Sequence, residues 1–359
     1  MDATTALTTV EPRHLAVPSK RRRAETLAPG ARIGAWRIEG ELGRGGMATV
    51  YAVVHTKFGK RAALKLAHRD LVTEKLPAEA FLREARIVNL VDHPCVPDVF
   101  ATGTFDGRPY IVMDRLAGPT LADLARGTPI TRREALGVLA ELCDVLATAH
   151  AAGLVHRDLK LANVIVLDSP CPAGRRVKLI DWGVAYVTSE PDPLTGMIAG
   201  TLTYVAPEQI RGDGVTAATD VYSLAVLAYE LLLGDPPFAA ADDLELLRLH
   251  LNQAPPSPHA TWPTCPAALA ELLVAMLAKM PADRPALADV AAGIAAARAE
   301  LVATSATPPP LPAVVLAPAA AAPPSTQRAT SLLPRLARRW LGPAVAVGAL
   351  AAALVGLVT

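Results

Sequence analysis

Eight consecutive residues, His156-Arg157-Asp158-Leu159-Lys160-Leu161-Ala162-Asn163, carry the densest chemistry in this chain. An Asp and an Asn five positions apart, with a Lys between them, meet three needs of phosphoryl transfer. The carboxylate can orient a hydroxyl and accept its proton, the ammonium can steady a moving phosphoryl group, and the amide can hold a metal ion. Such spacing is much rarer by chance than a lone glycine pattern.

Four other stretches could complete a site of this kind. Leu42-Gly43-Arg44-Gly45-Gly46-Met47-Ala48-Thr49-Val50-Tyr51 lies between two predicted strands, where glycines let backbone N–H groups close over phosphates without Cβ clashes. Its hairpin placement, rather than strand then helix, argues against a dinucleotide fold or a Walker-type loop. Taken alone it is a weak signal, because a glycine-rich hairpin is more often simply a turn. Lys65, in Ala62-Ala63-Leu64-Lys65, is costly in an apolar strand unless paired, and Glu84 on the following helix is an available partner. The plainer reading is a surface lysine snorkelling from an edge strand. Asp181, in Asp181-Trp182-Gly183, follows the apolar run Val177-Lys178-Leu179-Ile180 and can project a carboxylate into a cleft to take a metal ion. Downstream, Gly200-Thr201-Leu202-Thr203-Tyr204-Val205-Ala206-Pro207-Glu208 closes a flexible loop. Asp220 begins a strongly apolar helix, where it can cap or bind backbone donors. The order glycine loop, Lys, Glu, His-Arg-Asp, Asp-x-Gly favours one shared site over a string of plain readings.

The elements that must position these residues begin at Trp36. Strand-like runs at Trp36–Leu42, Thr49–His55 and Arg61–Ala67 alternate around glycines, as in an antiparallel sheet. A helix is predicted near Pro77–Leu90, then two more strands ending at Tyr110–Met113. From Leu121 to about Arg298 the pattern is mostly helical, broken by polar and glycine-bearing loops. The expected fold class is α+β, with a small antiparallel β-rich lobe followed by a larger helical lobe.

The ends differ in texture. Residues 1–35 lack periodicity and include Lys20-Arg21-Arg22-Arg23, which suits a disordered, solvated tail, with a docking or membrane-surface role as the alternative. Residues 301–340 form a Pro/Ala-rich linker with a basic end, too poor in core formers to fold. Residues 341–359 contain no charged side chain and as a helix span about 28 Å, near the hydrocarbon thickness of a bilayer. Arg335, Arg338, Arg339 and Trp340 precede them as a basic flank and an interfacial aromatic. A single C-terminal transmembrane helix is expected, against the plainer reading of an Ala-rich surface helix.

The 359 residues suit one large or two modest domains plus tails. A net charge of +1 gives no global electrostatic case for nucleic acid, which is not expected as a partner. Cys95, Cys143, Cys171 and Cys265 lack paired spacing, which suits a reducing compartment and argues against a structural zinc site. The N-terminus has no apolar core of signal-peptide type.

Over about residues 36–300 the chain resembles a eukaryotic-type (Hanks-type) serine/threonine protein kinase of the kind found in bacteria. The resemblance implies a bilobal fold with an N-lobe over about 36–113, a hinge at 114–118 and a C-lobe over about 119–300. It implies ATP and Mg²⁺, or Mn²⁺, as cofactors. Lys65 would hold the α/β-phosphates and pair with Glu84, Asp158 would be the catalytic base, and Lys160 would contact the γ-phosphate. Asn163 and Asp181 would hold the metal ions. Leu42, Gly43, Gly45 and Gly46 would cover the phosphates. Val50, Ala63 and Ile165 would sandwich the adenine, Met113 would be the gatekeeper, and Asp114 to Leu116 would read the adenine edge. Asp220 would brace the catalytic loop, and Glu208 would pair with Arg284. Arg157 implies an activation loop ordered by phosphorylation, with Thr195 the favoured phosphosite, then Thr188 and Ser189. Thr201 would contact Asp158. Lys160 with Gly200-Thr201 matches the Ser/Thr pattern rather than the Tyr-specific one.

Two positions depart from the family pattern: Ala48 replaces the third loop glycine, and Trp182 replaces the Phe of Asp-Phe-Gly. Neither removes a ligand to phosphate or metal. The implied partners are ATP, Ser- or Thr-bearing proteins, the membrane, and a second copy as a homodimer. The implied place is the cell inner membrane, single-pass, with the kinase domain cytoplasmic. A pseudokinase scaffold is the alternative, disfavoured because base, metal ligands and strand Lys are all present. A small-molecule kinase of related fold is weakened by Ala206-Pro207-Glu208.

Overall fold

The computed structural model describes residues 26–69, 78–127, 130–190 and 201–306. Strands β1 (Arg32–Ile33), β2 (Trp36–Arg44), β3 (Ala48–His55), β4 (Arg61–Ala67), β5 (Val99–Phe105) and β6 (Arg108–Met113) form one antiparallel sheet in the order β1-β2-β3-β4-β6-β5. Alternation sets its two faces. Ile38, Tyr51, Val53, Leu64 and Leu66 are buried in one apolar cluster. On the other face Ala48, Ala67 and Ile111 pack with Phe81 and Ala85 of helix α1 (Ala78–Val88). The register of β2 against β3 shifts between Ile38 and Gly40 and again between Glu41 and Gly43. Such bulges bend the strand pair at the glycine loop.

The larger lobe follows. Its helices are α2 (Leu121–Arg126), α3 (Arg132–Ala151), α4 (Pro207–Arg211), α5 (Ala217–Leu233), α6 (Asp243–Asn252), α7 (Ala267–Met276) and α8 (Leu287–Ala306). Short strands β7 (Leu154–Val155), β8 (Val164–Val166), β9 (Val177–Leu179) and β10 (Tyr186–Val187) pair as β10–β7 and β8–β9. α3 starts with a reciprocal cap: Thr131 Oγ1 accepts from Glu134 N–H, and Thr131 N–H donates to Glu134. α5 is apolar nearly all round, so it belongs at the centre of a core. Leu224, Ala225, Val226 and Leu227 are fully buried. At roughly 1.5–3 kcal/mol per fully buried Leu or Val, this helix anchors the lobe. Gly234 ends it with φ 97°, a left-handed cap that suits glycine.

Two boundaries need correction. The expected disordered tail over 1–35 fails at its C-terminal end: β1 pairs with β2, Ile33 is buried, and Leu27 N–H donates to the Tyr51 hydroxyl at 3.2 Å. Leu27 and Ile33 are isolated apolar residues flanking Pro29-Gly30, so no periodicity marked them. At the other end α8 runs to Ala306, past the expected linker start at 301. Residues 1–25, the remainder of the linker and the apolar 341–359 segment lie outside the described residues. Among the described residues no helix is long and apolar enough to cross a membrane.

Candidate active site

Asp220 organises the catalytic loop from below. The helix cap is Thr216, so Asp220 sits in the first turn of α5 and acts on another segment. Its two carboxylate oxygens accept the backbone N–H groups of His156 at 2.8 Å and Arg157 at 2.9 Å. His150 Nε2, from α3, lies 2.8 Å away. Burial pushes the Asp220 carboxyl up, but His150 and the His156 contacts outweigh it and hold the group below its usual range. These bonds hold Arg157 at φ 66°, a conformation that costs a non-glycine residue about 1–3 kcal/mol. The strain places Asp158 at the cleft.

Asp158 accepts three side-chain or loop donors. Lys160 Nζ lies 2.6 Å and Asn163 Nδ2 3.0 Å from Oδ2, while Thr201 N–H donates to Oδ1 at 3.2 Å. Lys160 also donates to Thr201 Oγ1 at 3.1 Å, so the acceptor-side loop is tied to the catalytic loop, as expected for Thr201. Asn163 Nδ2 bonds the Asp158 carbonyl at 2.9 Å, and Ile180 N–H bonds the Asn163 carbonyl at 2.9 Å. The latter bond places Asp181 beside Asn163.

Lys65 closes the opposite wall. Its Nζ lies 2.6 Å from Glu84 Oε2 and 3.0 Å from Asp181 Oδ1. The plain reading of Lys65 as an edge lysine is overturned: β4 is an inner strand between β3 and β6, and α1 supplies the counter-charge. Burial alone would lower the Lys65 ammonium, yet the two carboxylates hold it well above its ordinary value. Asp181 is likewise pushed up by burial but held below its usual range by Lys65. Asp181 adopts φ 65°, which turns its carboxylate toward Lys65.

Strand register sets the remaining expected residues of the sheet near Lys65. Val50 faces Lys65 in register, and Ala63 faces Met113. Ile165 pairs with Thr120 across the floor. Leu42 is exposed at the lip, and Gly43, Gly45 and Gly46 are exposed beside it. A Cβ on Gly43 would meet nothing within 4 Å, so packing within the protein does not demand glycine there; close approach of a ligand would. The hinge is laced by Asp114 N–H to the Asp98 carbonyl at 3.0 Å, with Leu116 half-buried beyond it. Ala48 is buried with Ala67 and Phe81, so its methyl fills a gap between sheet and α1. Trp182 is fully buried, its ring in an edge-type contact with His156, centroids 4.6 Å apart, and its Nε1 donating to the Leu179 carbonyl at 3.2 Å. The larger ring is therefore satisfied at both its apolar and polar ends.

Glu208 and Arg284 form the expected pair, bidentate at 2.7 Å on each arm and essentially without solvent exposure. Thr188 and Ser189 are exposed, and Thr188 N–H bonds the Gly153 carbonyl at 2.8 Å. Thr195 lies outside the described residues. Arg83, Glu190 and His150 were missed. Each meets its partner across a long sequence separation, and the only local signal was that Arg83 adjoins Glu84.

The Asn163 amide and Asp181 carboxylate are hard oxygen donors that fit Mg²⁺, which usually takes one or two protein ligands plus phosphate and water. Among the described residues no cage of three or more His, Cys, Asp or Glu side chains competes with that arrangement. A cavity of about 1110 Å³ opens behind the hinge, between Val88–Asp98 and the β8–β9 connection, and none of the catalytic residues line it.

The protein kinase domain model matches residues 36–293. The chain is 39% identical over 257 residues to the serine/threonine-protein kinase Pkn1 of Myxococcus xanthus, covering 71% of this chain and 37% of that protein. It is 34% identical over 293 residues to PknJ of Mycobacterium tuberculosis, covering 81% and 50%. It is 35% identical over 288 residues to PknA of the same organism, covering 77% and 65%. The chain thus spans about a third to two thirds of the length of these relatives. Among solved structures, a double mutant of the M. tuberculosis PknI kinase domain aligns with TM-score 0.60 and 28% identity, covering 76% of this chain and 100% of that one. With the family match running from the second sheet strand into the last helix, and each motif folded into one cleft, this chain belongs to the protein kinase domain family.

Proposed function

We propose that this protein is a serine/threonine protein kinase, transferring the γ-phosphoryl group of ATP to Ser or Thr hydroxyls of protein substrates. The observation that carries the reading is the closed set Lys65–Glu84–Asp181 facing Asp158 and Asn163 across one cleft. Pseudokinase scaffolds usually lack one of these groups, so their presence favours the enzyme.

The residues divide the work. Asp158 accepts the hydroxyl proton and aims the oxygen, since its carboxylate is already held by Lys160, Asn163 and Thr201. Lys65, fixed by Glu84, holds the α/β-phosphates, and Lys160 offsets charge on the transferred group. Mg²⁺, or Mn²⁺, held by Asn163 and Asp181, would neutralise the triphosphate. The protein contributes position and electrostatics, with no covalent intermediate. Lys160 bonded to Thr201 supports the Ser/Thr preference.

The reading extends beyond the described residues. Autophosphorylation would fall on the loop carrying Thr195, with Thr188 and Ser189 as further acceptors. The uncharged 341–359 segment behind Arg335, Arg338 and Arg339 would tether the domain to the cytoplasmic face of the inner membrane in a single pass, where local crowding favours a homodimer. Incubation of the purified chain with labelled ATP, Mg²⁺ and a host lysate, followed by phosphosite mapping, tests the assignment. Label on Ser and Thr is expected. Label confined to Tyr, or none at all, overturns it.

A further inference from the structure

The segment after Asp181 is held by two arginines from different elements. Arg157, next to the catalytic base, donates Nε to the Val184 carbonyl at 2.6 Å, and its guanidinium lies 5.4 Å from the Tyr186 ring centre. Arg83, on α1, donates Nη1 to the neighbouring Ala185 carbonyl at 3.0 Å and Nη2 to Glu190 Oε2 at 3.2 Å. Arg83 immediately precedes Glu84, so whatever anchors Arg83 also sets the carboxylate that holds Lys65. The same segment is fixed to the C-lobe by β10 pairing with β7. Arg83 therefore adds a polar tie between α1 and the C-lobe to the apolar contacts of Ile87 and Val88 with the large-lobe core.

An activation segment ordered by phosphate uses the anion to draw arginines together. Here a carboxylate of the chain itself already sits on Arg83. We infer that Arg83 is a positioning residue for phosphoryl transfer, and that Glu190 supplies in the unmodified protein the anion that docks α1 against the segment following Asp181. This rests on the kinase reading and deepens it: α1 reaches its catalytic place without a phosphate on the loop. A carboxylate brings less charge than a phosphate, and Glu190 is half exposed, so the coupling is modest.

The test uses the full chain, freed of phosphate by a phosphatase that is then removed, with initial rates read against a Ser/Thr peptide. Glu190→Gln should lower kcat about two- to fivefold, the range that a half-exposed ion pair supports, with the KM for peptide unchanged. Arg83→Gln should lower kcat further, because the Ala185 bond is lost as well, and Arg83→Lys should recover part of the loss. The double variant should be no slower than Arg83→Gln alone, since both changes cut one connection. Wild-type kcat in both single variants, or fully additive losses, overturns the inference while leaving the kinase reading intact. If Arg83→Gln fails to fold, the exposed Glu190→Gln decides alone. Absence of transfer by the unsubstituted chain rejects the kinase reading itself, and the positioning role with it.

Discussion

Asp158 is a carboxylate with several donors and, on the proposed reading, one task. Its oxygens are engaged by Lys160, Asn163 and Thr201, which keep it aimed. Asp158→Asn should lower kcat about 10²- to 10⁴-fold, the range for a lost general base, while ATP affinity changes little. Steady-state kinetics beside nucleotide titration check both halves. Lys65→Met should abolish turnover, because Glu84 and Asp181 would then face each other across the phosphate site with their shared cation gone. Retained turnover would remove Lys65 from its role. These residues were legible in the sequence because their spacing and order match the pattern the chain resembles, and Lys65 also because it interrupts an apolar strand. Arg83 and Glu190 were not, since they lie 107 positions apart and neither spacing nor composition links them.

Elements carry the burden of holding those residues still. Glu208, on α4, and Arg284 are buried with 1% and 0% side-chain exposure, and Thr219 of α5 donates to the same carboxylate at 2.8 Å. Removing one partner leaves a buried charge uncompensated, so Arg284→Ala should cost about 3–5 kcal/mol in urea unfolding. A loss below about 1 kcal/mol would mean the pair is solvated. His250, on α6, is buried against Tyr222 and Phe238, with Nδ1 2.9 Å from the Tyr222 hydroxyl. Burial, together with Lys279, lowers it to about 4. The unfolded chain binds this proton first, near pH 6.5, so the contribution is complete above that pH. It should decline as pH falls from about 6.5 to 4, by roughly 3 kcal/mol in all, and then level off. His250→Gln should flatten that part of the stability–pH curve relative to the unsubstituted chain, and an unchanged slope would contradict the assignment. The sheet and the long helices were readable from periods of two and 3.6. β1 and the Leu27 contact were not, because single apolar residues across a Pro-Gly turn have no period.

At the scale of the molecule, two lobes bring a sheet lysine, a helix glutamate and a loop aspartate to one cleft. The β-then-α order of the lobes could be read directly from the texture change at Trp36. Packing between them could not, because it depends on side chains such as Arg83 that join distant segments. Deleting residues 341–359 should move the protein from the membrane pellet to the soluble fraction with its transfer rate preserved, and unchanged fractionation would refute the anchor. The most direct test of the whole scheme is the rate of phosphoryl transfer from labelled ATP to a Ser/Thr peptide, measured side by side for the unsubstituted chain and Asp158→Ala at saturating Mg²⁺. Transfer by the former and its near-complete loss in the latter, at similar nucleotide affinity, is the expected result. Equal rates in the two proteins would contradict it.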